Sequence, residues 1–215
     1  MGKTAIVLGA TGLVGQSLTD QLAKADHVGK IITLTRRPAP HASANVHNQV
    51  LDFDQLERHA AAFSGDLLFS CLGTTRKEAG SINAQRVVDL TYQYRAAQMA
   101  ANHGVRHYLL VSSSGANADS QNPYLRMKGE LEQRVQTLSF ERISIFQPSL
   151  LLGQRGDFRL GEKLGGWILP TLCAMPGLRR FRPIAGEQVA AKMVRVSRQP
   201  GKALEWYRLD EISAR

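Results

Sequence analysis

The chain has little cysteine: two residues in 215, Cys71 and Cys173, far apart and without a CxxC pair or histidine-rich neighbours. Such usage argues against both a zinc site and a disulfide framework, so both thiols are expected reduced and buried and no metal is expected. No stretch approaches the roughly 20 uncharged apolar residues of a membrane-spanning helix, and no membrane partner is expected. A signal peptide is also missing, because MGKTAIVLGATG leads straight into a strand; a cytoplasmic location is the corresponding expectation. Without internal repeats, low-complexity tracts or a linker, residues 1–215 read as one domain. Acidic residues are outnumbered 18 to 27, for a net charge of +9 and a pI near 9.9. That excess suits either a cofactor carrying several phosphates or a nucleic acid. No aromatic-basic RNA-binding motif accompanies it, and beyond Arg36-Arg37 and Arg179-Arg180-Phe181-Arg182 the basic residues are scattered, so a nucleic-acid partner is not expected.

What is present is an alternation. At 43% hydrophobic content, short apolar runs bounded by turn residues alternate with segments of helical period, the pattern of a parallel sheet covered on both faces. Strands are read at Thr4–Leu8, Ile31–Thr35, Asn48–Leu51, Leu67–Cys71, His107–Ser112 and Arg142–Gln147, six or seven in all. Val14, Leu18 and Leu22 mark one core-facing helix, and Val87, Leu90, Tyr94, Ala97 and Ala101 another. A last helix is read at Glu187–Ser197. The fold class is α/β, a doubly wound parallel sheet of Rossmann type in three layers, and the Gly-, Pro- and Arg-rich stretch 153–183 reads as a small cap on the substrate side.

Directly after the first strand stands Gly9-Ala10-Thr11-Gly12-Leu13-Val14-Gly15, opening the first helix. Gly9 and Gly12 allow a tight turn and close approach to a pyrophosphate, Gly15 allows close packing, and the helix N-terminus offers amide donors. About twenty residues on, where an NAD-preferring protein carries an acid for the ribose 2′-hydroxyl, the second strand ends in Arg36-Arg37. Guanidinium groups there suit a 2′-phosphate, which predicts NADP(H) preferred over NAD(H); Arg36 is nearer the strand end, with Arg37 as the alternative. Asp52 and Phe53 after the third strand are candidates for the adenine amine and its apolar wall. The fourth strand ends Cys71-Leu72-Gly73-Thr74 at the carboxyl edge, where ligands bind in open α/β sheets, and these residues join the cofactor-binding set.

Tyr124 and Lys128 are four residues apart behind Asn122-Pro123, an N-cap and a first helical residue, and so share a helix face. A tyrosine is a poor proton donor near its ordinary pKa of about 10, and a neighbouring ammonium lowers that value. Just upstream, Ser112-Ser113-Ser114 ends a strand and can place a hydroxyl beside Tyr124 to hold a substrate carbonyl. Ser113 is preferred among the three.

GATGLVG, the VSSS strand end and YLRMK together resemble the short-chain dehydrogenase/reductase superfamily, in its atypical branch. Within it, VLDFDQL, SCLGTTRKEAG, YLRMKGELE and IFQPSLLLG resemble the HIV Tat-interacting protein 2 oxidoreductase family, over most of the chain through about Gly153. The resemblance implies NADPH binding through Gly9, Thr11, Gly12, Leu13, Val14, Gly15, Arg36 and Arg37, with backbone contacts near Leu72 and Gly73. It implies Ser113, Tyr124 and Lys128 at the catalytic positions, Lys128 also contacting the cofactor ribose, and Pro148-Ser149-Leu150 against the nicotinamide. The implied activity is reduction of a small carbonyl compound; an NADPH-binding regulator or redox sensor acting on a protein partner is the alternative. The pocket candidates Leu150, Phe158, Trp167 and Leu172 specify only an apolar enclosure.

Overall fold

A computed structural model describes residues 2–149, 151–152 and 183–213. The expected cap therefore lies outside the described residues except for Pro183, as do Leu150, Phe158, Trp167, Leu172, Cys173 and Arg179 to Arg182.

The strands are β1 (Lys3–Leu8), β2 (Val28–Thr35), β3 (Val46–Val50), β4 (Leu67–Ser70), β5 (His107–Val111), β6 (Arg142–Gln147) and β9 (Leu204–Arg208), with a short separate pair, β7 (Leu151–Leu152) and β8 (Ile184–Ala185). The main sheet has seven strands in the order β3-β2-β1-β4-β5-β6-β9, and every pairing in it is parallel. Parallel neighbours need crossovers, and most of them run through helices: α1 (Leu13–Leu22), the short α2 (Arg76–Ala79) and α3 (Ile82–Arg86), α4 (Gln93–Asn102), α5 (Pro123–Val135) and α6 (Gly186–Arg198), with α7 (Asp210–Ser213) after the last strand and no helix between β2 and β3. A kinked 3-10 segment, Phe53–Phe63, joins β3 to β4.

Because successive strand residues face opposite layers, the sheet buries two cores. Ile6, Leu8, Leu34, Leu68, Tyr108 and Leu110 pack beneath α4 and α5 with Ala97, Leu131 and Val135. Ala5, Val7, Phe69 and Leu109 pack on the opposite face with Leu18 of α1 and Met193 of α6. This is the three-layer doubly wound arrangement expected from the alternation. The strand order reverses between β1 and β4, and the crevice at that switch point is where such sheets take ligands.

Two details depart from the sequence pattern. Val87 is 37% exposed instead of core-facing. The cause is a π-helical turn over Val87–Tyr92 between α3 and α4, whose extra residue shifts the helical phase, so that Asp89, at 0% exposure, turns inward. The seventh strand, β9, is not among the runs read from the sequence, since LEWYR is half-buried from Leu204 to Tyr207, exposed at Arg208 and shows no clean period of two.

A candidate cofactor crevice and tyrosine-lysine site

The glycine loop has the geometry its residues predict. Gly9 adopts a positive φ of 74°, a conformation that disfavours side chains. A Cβ there would lie 2.6 Å from the Cys71 carbonyl carbon, so the ends of β1 and β4 meet backbone to backbone. A Cβ on Gly15 would lie 2.1 Å from the Gly9 carbonyl oxygen. Gly12 caps α1 with no side-chain hydrogen bond, leaving the first-turn amides without a side-chain acceptor at the switch point. Ala10, Gly12 and Leu13 are half-buried around this turn, Thr11 is exposed, and Val14 faces the core. A pyrophosphate fits a cradle built this way, because it needs close backbone approach and uncapped donors.

β2 ends at Thr35, and Arg36 and Arg37 are both exposed. Among the described residues neither is joined in an ion pair. The Arg37 carbonyl accepts from the Thr35 hydroxyl at 2.7 Å, which pins the turn while leaving both guanidinium groups outward. After β3, Asp52 is exposed and Phe53 is buried. The Asp52 carboxylate caps the 3-10 segment, accepting from the Asp54 backbone amide at 2.9 Å and from Gln55 Nε2 at 2.8 Å, and these bonds lower its pKa. Phe53 is 3% exposed, packed against Tyr92 with ring centroids 5.6 Å apart; its ring belongs to the core, and little of it is left for a base to touch.

Beyond β4, Cys71 and Leu72 are half-buried against Gly9, Gly73 is exposed, and Thr74 is half-buried. Burial pushes the Cys71 thiol up to about 12 against a lesser pull from Lys128, so it stays protonated. Thr74 is held at both backbone groups: its amide donates to Asp89 Oδ2 at 3.1 Å, and its carbonyl accepts from Gln85 at 3.1 Å.

Helix α5 begins as expected. The Asn122 side chain accepts from the amides of Tyr124 (2.9 Å) and Leu125 (3.3 Å), with Pro123 in the first turn. The Lys128 ammonium lies 6.0 Å from the centre of the Tyr124 ring. Tyr124 is half-buried, whereas Lys128 is 3% exposed and lies 3.1 Å from Asp89 Oδ1. Burial opposes the charge on Lys128, yet the carboxylates of Asp89 and Glu132 and the nearby Tyr124 outweigh it, and its pKa is raised. The loop after β5 seats tightly on the helix: a Cβ on Gly129 would meet the Asn117 carbonyl carbon at 2.2 Å, and the Asn117 amide donates to the Leu125 carbonyl at 3.1 Å. That contact anchors on α5 the loop that leads from the serine strand end.

The three serines are now distinguishable. Ser112 is buried and its hydroxyl donates to Glu132, whose oxygens also accept from Gln147 at 2.9 and 3.0 Å. Ser113 and Ser114 are half-buried; the Ser114 amide donates to the carbonyl of the buried Pro148 at 2.9 Å. The residues missed by sequence reasoning are Asp89, Glu132 and Gln147. Glu132 carried a signal, since it continues the Tyr124, Lys128 stripe by four residues; Asp89 carried a fainter one, a lone acid between Val88 and Leu90.

Comparison with known proteins follows the same geometry. Residues 9–163 match the family model described as NAD(P)H-binding. The chain belongs to that NAD(P)H-binding family. It is 39% identical over 166 residues to Protein HTATIP2 of Rattus norvegicus, covering 75% of this chain and 68% of that one. It is 34% identical over 203 residues to Protein FMP52-1, mitochondrial, of Scheffersomyces stipitis, covering 91% of this chain and 88% of that one. Among solved structures, the UDP-Glc/GlcNAc 4-epimerase of Campylobacter jejuni superposes with a TM-score of 0.71 at 13% identity, covering 99% of this chain and 82% of that one; that likeness shows the fold. The protein is thus an NAD(P)-binding member of an oxidoreductase-like family. The cytoplasmic expectation is corrected by the same relatives: FMP52-1 and its counterparts in other fungi are designated mitochondrial. A chain start that runs into a strand does not settle location.

Proposed function

We propose that the protein is an NADP(H)-dependent oxidoreductase that reduces a small carbonyl compound. The observation that carries this reading is the buried, charged Lys128 beside Tyr124, on the carboxyl side of a sheet whose switch point holds an uncapped glycine loop. The bound cofactor would supply the hydride. Gly9 to Gly15 would hold the pyrophosphate, Arg36 or Arg37 the 2′-phosphate, and the backbone of Cys71, Leu72, Gly73 and Thr74 would lie along the cofactor with Pro148. Ser113 would donate a hydrogen bond to the substrate oxygen, and Tyr124 would transfer its phenolic proton to that oxygen as the alcohol forms. Lys128 stabilises the resulting phenolate and can reach toward the ribose hydroxyls. The preference for NADP(H) rests on two exposed arginines, free of ion pairs among the described residues, where an acid would disfavour a phosphate.

The test is NADPH oxidation against a panel of small aldehydes, ketones and quinones. Turnover that falls at least a hundredfold in Tyr124→Phe, with NADPH affinity retained, is the expected result. Tight NADPH binding with no turnover across the panel would sink the reductase reading in favour of a redox sensor.

A further inference from the structure

Lys128 should be an expensive residue. A lone ammonium at 3% exposure is strongly disfavoured unless a carboxylate answers it. Two carboxylates are near, and they are not equivalent. Glu132, one turn along the same helix, already accepts from Ser112 and twice from Gln147. Asp89 comes from a different element, is fully buried, and among the described residues its Oδ1 has no partner besides the ammonium 3.1 Å away.

The chain also goes to some length to present Asp89. The π turn frees backbone carbonyls from the regular helical ladder, and the Asp89 carbonyl is taken by Gln93 Nε2 at 2.9 Å. Gln93, at 0% exposure, in turn accepts from the Ser70 hydroxyl at 2.8 Å, which ties the turn to the last residue of β4. The second carboxylate oxygen of Asp89 accepts from the Thr74 amide at 3.1 Å. One side chain thus spans the strand end on the cofactor side and the lysine on the chemical side.

We propose that Asp89 is a positioning residue for the tyrosine-lysine site: its carboxylate holds the Lys128 ammonium beside Tyr124 and ties it, through Thr74, to the loop that follows β4. The assignment deepens the reductase reading and rests on it for its catalytic meaning, while the ion pair itself can be tested without turnover. The groups facing Lys128 are Asp89 from the π turn, Tyr124 and Glu132 from α5, and Cys71 just after β4, whose protonated thiol adds no charge. Removing the charge at 89 leaves Glu132 as the nearest carboxylate, already engaged by two donors. Lys128 must then lose its proton more readily. The sign is definite: wild-type Lys128 stays charged above the ordinary lysine range, and the Asp89→Asn protein loses that charge as pH rises through a lower value.

The experiment follows the Lys128 side chain by NMR in 13C,15N-lysine-labelled full-length protein between pH 6 and 11, together with NADPH titrations at pH 6.5 and 9. In wild type, Lys128 should titrate above the other lysines and NADPH affinity should vary less than threefold between the two pH values. In Asp89→Asn, Lys128 should titrate at least one pH unit lower, and NADPH affinity should fall with rising pH in step with that titration. Identical Lys128 titrations in the two proteins would overturn the proposal. If Asp89→Asn does not fold, wild type alone decides, because Lys128 titrating below the other lysines contradicts the pair. Failure of wild type to bind NADPH would defeat the cofactor reading and leave the Lys128 titration to judge Asp89 separately.

Discussion

The two halves of the crevice are built on opposite principles. On the β1 to β3 side the structure works by leaving side chains out: Gly9 and Gly15 bring backbone against backbone at separations no Cβ would allow, the α1 cap has no side chain, and the two arginines point into solvent. On the β4 to β6 side it works by burying charge. Asp89, Lys128 and Glu132 are each under a tenth exposed, and each is answered by a named partner. A site that grips a polyanion gains from open amides and mobile cations. A site that must hold one tyrosine and one ammonium in register gains from charges fixed in a low-dielectric setting, where they cost stability unless every one is paired.

The contrast breaks most visibly if a buried charge is removed. Lys128→Met leaves the Asp89 carboxylate buried without a cation and should cost about 3 to 5 kcal/mol in denaturant unfolding. Adding Asp89→Leu should restore part of that loss, as buried pairs replaced together often do; a double variant no more stable than Lys128→Met would show that the two residues are not coupled. On the other side, Gly15→Ala should cost about 1 to 3 kcal/mol through the collision with the Gly9 carbonyl and should weaken NADPH at the same time. Unchanged affinity would mean that the loop does not carry the pyrophosphate. The smallest effect lies at the seam between the halves. Cys71, with its thiol held protonated, should be alkylated by iodoacetamide at pH 8 about a hundredfold more slowly than an ordinary thiol, read by peptide mass mapping; a normal rate would contradict the packing of its side chain against the core.

The same contrast explains how much was legible beforehand. The glycine loop, the arginines and the Asn122-Pro123 helix start are local signals: each is a short run of residues whose conformational demands do not depend on distant partners. Five of the six strands read from the sequence were legible because hydrophobic runs bounded by turn residues report burial on both faces; the edge strand β3, VHNQV, is mostly exposed. Asp89 was not, because its inward turn depends on the π-helical phase shift and on Gln93 and Ser70 from other parts of the chain. Phe53 stayed open for a related reason: an aromatic after a strand reads equally well as a pocket wall or as core, and the Tyr92 ring it packs against comes from a distant part of the chain. Ser112, Ser113 and Ser114 were chemically alike until Glu132 took the first of them.

On the proposed reading, the crevice takes a phosphorylated dinucleotide through Arg36 or Arg37, and calorimetric titration of NADPH and NADH into wild type and Arg36→Asp decides it. Wild type should bind NADPH at least tenfold tighter than NADH, a difference of about 1.4 kcal/mol, and Arg36→Asp, or the same change at Arg37, should remove most of that margin while sparing NADH. Equal affinity for the two cofactors in wild type, or an equal loss of both in the variants, would contradict it.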